Sequence, residues 1–130
     1  MAASPRAVEL ARAAAVAASD KLGEEIVAVD VSEQLVITDA FVLVSGTNDR
    51  QVKALVDAVE EALLGLQAKP ARREGEREGR WVLLDYLDII VHVQHQEERA
   101  FYALERLWRD CPSIPLPEEV TRGRSGVGSA

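Results

Sequence analysis

Residues 40–66 constrain the fold more than any other stretch, because two different periodicities meet there within a few residues. Ala40-Phe41-Val42-Leu43-Val44-Ser45 is a continuous apolar run of strand length. A run without alternation suits a strand buried on both faces. Gly46-Thr47-Asn48-Asp49 then ends the strand and starts a helix, in which Val52, Leu55, Val56, Val59, Leu63 and Leu66 recur at helical spacing. Asp57, Glu60 and Glu61 fall on the other side, so this helix buries one stripe and wets the other. A doubly buried strand feeding an amphipathic helix calls for helices packed on a central sheet.

The flanking segments extend that pattern. Ser4-Pro5 is a helix opening, a capping hydroxyl followed by a proline suited to the first turn. Val8, Ala11, Ala15, Ala18 and Leu22 follow at helical spacing, and Gly23 offers a stop. Residues 25–31 are short and β-branched, which predicts a strand, and Ser32-Glu33-Gln34 a turn. Lys69-Pro70 closes the second helix. Residues 71–80 are charged and glycine-containing, a mobile loop with room for a short edge strand. Residues 81–86 and 88–94 are strands joined too tightly for a crossover, so they form a hairpin. Residues 97–110 predict a last helix with Phe101, Leu104, Leu107 and Trp108 facing the core, ended by Cys111-Pro112. From Ser113 onward, prolines and glycines predict a loose tail. The order is α-β-β-α-(β)-β-β-α: an α+β fold with a mixed central sheet flanked by helices, one domain over 1–111 and a flexible tail over 112–130.

Charge narrows the function. Of 130 residues, 15 are Lys or Arg and 22 Asp or Glu, a net charge of −7. Such a chain is a poor match for phosphate backbones and a good one for a basic partner surface. The single cysteine, Cys111, excludes an intrachain disulfide or a Cys-rich zinc site. No apolar stretch approaches the roughly 18–20 residues of a membrane span. These features predict a cytoplasmic protein.

Catalytic signals are thin. Gly46 lies between strand and helix, but Ser45-Gly46-Thr47 lacks the spacing and lysine of a phosphate loop. His92 and His95 are three apart in a strand and point to opposite faces, so they do not share a metal. Asp85 and Asp88 bracket the hairpin turn; they suit turn formation first and Mg²⁺ second. Along the hairpin, Trp81, Leu83 and Asp85 alternate onto one face and Val82, Leu84 and Tyr86 onto the other. Large rings beside carboxylates suit a protein-binding patch.

Three blocks of sequence point further. Residues 38–52, Thr-Asp-Ala-Phe-Val-Leu-Val-Ser-Gly-Thr-Asn-Asp-Arg-Gln-Val, resemble the central signature of the ribosomal silencing factor (Iojap-like) family. Residues 74–86 resemble its second block, and residues 88–93 with 99–108 its third. The resemblance implies a nucleotidyltransferase-like fold without the catalytic pattern of those enzymes. It also implies a protein that needs no cofactor, binds the large ribosomal subunit through ribosomal protein fourteen of that subunit, and blocks joining of the small subunit. Carried onto this chain, it makes Trp81, Leu84, Asp85, Tyr86 and Asp88 the centre of the partner contact, supported by His92 and Tyr102. Leu87 stands where the family often has glycine. A homodimer is compatible with this reading. The rival is a divergent Mg²⁺-dependent nucleotidyltransferase using Asp85 and Asp88.

Overall fold

The structure, a computed structural model, describes residues 2–102 and 104–120, and for residues 101, 102, 104 and 105 the backbone alone. Helix α1 spans Pro5–Asp20, with the Ser4 hydroxyl accepting a hydrogen bond from Ala7 N at 3.1 Å. Strands β1 (Glu24–Asp30) and β2 (Ala40–Gly46) follow, then α2 (Asp49–Gly65), where the Asn48 side chain accepts from Gln51 N at 2.8 Å. Each cap satisfies an amide that the first helical turn leaves unpaired. Short β3 (Arg72–Glu74), β4 (Trp81–Asp85), β5 (Ile89–His95), α3 (Gln96–Tyr102) and α4 (Leu104–Leu107) complete the described elements.

The five strands form one mixed sheet in the order β1-β2-β5-β4-β3. Only β2 and β5 are parallel, with Ala40 opposite Ile89 and Gly46 opposite His95; every other pair is antiparallel. The apolar run of residues 40–45 sits in β2, whose seven residues are all buried. Helices α1 and α2 cover one sheet face and share the main core with Val42, Val44, Val82, Leu84, Val91 and Val93. Helix α3 lies against the other face, where Arg99 Nη1 donates to Ser45 Oγ at 3.0 Å. This is the expected sheet flanked by helices. The expected edge strand is β3. Among the described residues, no helix is long and apolar enough to cross a membrane.

Two expectations need correction. The last helix stops short of 110: helix is described over Gln96–Tyr102 and Leu104–Leu107, residue 103 lies outside the described residues, and residues 108–110 form a turn. Leu107 is 72% exposed instead of facing the core, whereas Trp108 does pack inward. The side chains of Phe101 and Leu104 lie outside the described residues. The second correction concerns the tail. Residues 112–114 run along the free edge of β1: Asp30 N donates to Pro112 O, Ile114 N donates to Ala28 O, and Val29 bridges Ser113. Ile114 and Val120 are buried in the main core, at 6% and 1% exposure. An open strand edge and two apolar side chains outweigh the local proline content. The remaining tail, 121–130, lies outside the described residues.

Candidate functional site

Cross-strand neighbours share a sheet face, so the register sorts the hairpin residues. Trp81 lies opposite Gln94, Leu83 opposite His92, and Asp85 opposite Ile90. Through β2, His92 pairs with Leu43 and Ile90 with Phe41. Trp81, Leu83, Asp85 and His92 therefore stand on the face away from α1 and α2. On this face Val29, Val31, Phe41 and Ile90 form a small second core, with Leu35, Leu83, Trp108 and Cys111 packed around it.

A row of rings crosses this face. Trp81 Nε1 donates to His92 Nδ1 at 3.2 Å, and the two ring centroids lie 6.1 Å apart. His92 meets Phe41 edge-on at 4.9 Å, and Phe41 meets Trp108 edge-on at 5.2 Å. Edge-to-face geometry sets the positive rim of one ring against the negative face of the next. His92 is buried, and its Nε2 has no hydrogen-bond partner. Burial, with the charge of Arg99 as a lesser cause, pushes its pKa down to about 4. The imidazole is thus neutral and accepts from Trp81 through Nδ1. Trp81 and Leu83, the half-buried members, are the ones that present area at the surface.

The remaining candidates scatter. Leu84 has no exposure and Tyr86 is also buried, both in the core beneath α1 and α2. They are corrected from contact residues to core, because strand alternation turns them away from Trp81 and Asp85. Burial pushes the Tyr86 pKa up to about 12, with Glu60 adding to the rise. Asp85 is a turn former: Oδ1 accepts from Leu87 N at 2.8 Å, and Oδ2 is 3.5 Å from Arg72 Nη2. With both oxygens engaged, Asp85 is poorly disposed to hold Mg²⁺ with Asp88. Asp88 is exposed at the hairpin tip, its carbonyl accepting from Asp39 N. The side chain of Tyr102 lies outside the described residues. His95 points to the opposite face from His92, as expected, and its Nδ1 accepts from Glu97 N at 3.1 Å. Among the described residues, no three His, Cys, Asp or Glu side chains stand together as a metal site.

Sequence reasoning omitted Phe41 from the site. Its parity along β2 relative to the hairpin was a usable signal, but the pairing of β2 with β5 is a long-range fact that no local pattern carries.

The chain from residue 4 to 127 matches the family model described as "Ribosomal silencing factor during starvation". A ribosomal silencing factor of Bacillus subtilis is 40% identical over 105 residues, covering 79% of this chain and 87% of its own. One from Halalkalibacterium halodurans is 37% identical over 108 residues, covering 83% and 92%. A crystal structure of a Chromobacterium violaceum protein superposes with a TM-score of 0.74 at 33% identity, covering 77% of this chain and 83% of its own.

Proposed function

We propose, since the chain belongs to the ribosomal silencing factor family, that it lowers translation by docking on the large ribosomal subunit and standing in the way of the small one. The partner on that subunit is ribosomal protein fourteen, a basic surface for an acidic chain, and the site of action is the cytoplasm. The observation that carries this reading is the asymmetry of the sheet. One face is sealed by α1 and α2, whereas the other leaves Trp81 and Leu83 half-exposed at the end of a ring row. Tryptophan is the residue type most enriched among interface anchors, and its neighbours here fix its orientation before any partner arrives. Steric blocking needs no chemistry from this face.

Two outcomes follow. Excess protein slows the joining of purified large and small subunits, followed by light scattering; an unchanged joining rate with folded protein refutes the proposal. Trp81→Ala weakens binding to isolated large subunits by about 2 kcal/mol, the size of an interface anchor, in sedimentation assays. The same variant must be melted in parallel, because a purely structural tryptophan would lower thermal stability and leave affinity of the folded fraction intact.

A further inference from the structure

At the end of the sheet where β2 and β5 begin, the chain holds an apolar residue in a conformation that apolar residues avoid. Leu87 has φ of 72°, and Asp88 N donates to Tyr86 O at 2.9 Å, which makes Leu87 the centre of a three-residue turn. A γ-turn of this hand is rare and strained. A side chain with a Cβ meets steric resistance there that glycine would not. Leu87 is nevertheless 62% exposed, and the turn is fixed by its backbone, with Leu87 N donating to Asp85 Oδ1 at 2.8 Å and Tyr86 N to Ile89 O at 2.9 Å. The adjoining loop adds to it: Asp39 N donates to Asp88 O at 3.0 Å, which sets the 32–39 loop beside the hairpin tip, and Val36 and Ile37 of that loop are fully and 73% exposed.

Acids accompany these side chains along the chain. Glu33 and Asp88 are exposed, and Asp39, half-buried, accepts from Ser4 N at 2.9 Å through Oδ2. Arg72, on the strand beside the hairpin, faces Asp85 at 3.5 Å. We infer that Leu87, with Ile37 and Val36, is a knob that seats in an apolar socket rimmed by lysine or arginine on the partner protein. This rests on the proposed docking to the large subunit and names a specificity element of that contact. Charge decides the occupant. A second copy meeting this end would bring Glu33 and Asp88 against their own equivalents, in a chain of net charge −7. The hairpin's own hydrogen bonds hold the turn, and it carries an exposed leucine rather than glycine at its tip, the side chain that the socket would take.

The test measures affinity for isolated large ribosomal subunits, thermal stability and sedimentation equilibrium on the full chain and on Leu87→Gly, Leu87→Asn and Ile37→Ser. Both glycine and asparagine accept the positive φ, so melting temperature holds or rises in the Leu87 variants. Affinity falls about tenfold or more in each Leu87 variant and less in Ile37→Ser. Affinity within twofold of the parent in both Leu87 variants overturns the knob while leaving the docking reading intact. Dissociation of a parent dimer by Leu87→Gly also overturns it, by placing the socket on a second copy. A parent chain that does not bind large subunits at all overturns the docking reading and the knob together.

Discussion

Replacing Ile114 and Val120 together with alanine is expected to lower the folding free energy by about 4 kcal/mol. Both side chains are buried in the main core, among residues of α1 and the sheet. Large-to-small changes at such sites lose the transfer free energy of the deleted groups and leave a cavity that closes only in part. The segment also donates and accepts backbone hydrogen bonds along β1, and Pro115 O accepts from Arg12 Nε at 3.0 Å. The loss is capped by the docking free energy of the whole segment, because a weakened segment can leave the body before the body unfolds. Urea unfolding checks this. A midpoint unchanged within error in the double variant would show that residues 112–120 add nothing to stability.

The second large effect is on acid. The His92 pKa, about 4 when folded, lies below its ordinary value of 6.5. Between those values the unfolded chain binds a proton that the folded chain refuses, so stability falls as pH drops from about 6.5 toward 4. Integrated over that window, the loss is about 3 kcal/mol. It is absent above pH 7, where both states are neutral. Protonation at Nδ1 would also abolish the hydrogen bond from Trp81, which needs a lone pair there. Unfolding free energies at pH 7.0, 5.5 and 4.5 should decline for the parent and decline less for His92→Gln. Parallel profiles for the two chains would assign the acid sensitivity to other groups.

What was legible in the sequence divides along physical lines. The apolar run in β2, the stripe of α2 and the tight joint between β4 and β5 are local patterns, and each stands where spacing alone placed it. The docking of Ile114 and Val120 has no such trace, since two isolated apolar residues among prolines carry no period and their partner edge lies far away in sequence. Leu107 fits the helical spacing of its neighbours, but the helix ends at this residue and turns over 108–110, and the side chain ends up in solvent. In the candidate site, alternation correctly separated Trp81 and Asp85 from Leu84 and Tyr86. It could not say which face the helices would take, so grouping all four residues in one contact ran against the pleat. The positive φ at Leu87 leaves no trace in composition; its one signal is that the family often has glycine there, the residue that such a φ favours.

Both margins of the sheet discourage further strands, one by being covered and the other by its short charged edge. On one side, the pairing of residues 112–114 with β1 occupies main-chain groups that an incoming strand would use. On the other, β3 has only three residues, Arg72, Arg73 and Glu74, all exposed and all charged. Short charged edges and covered edges are the two usual defences against edge-to-edge aggregation. For the proposed partner, such edges disfavour extension of the sheet by β-augmentation and leave the side chains standing out from the sheet face and its loop end as the surface to meet.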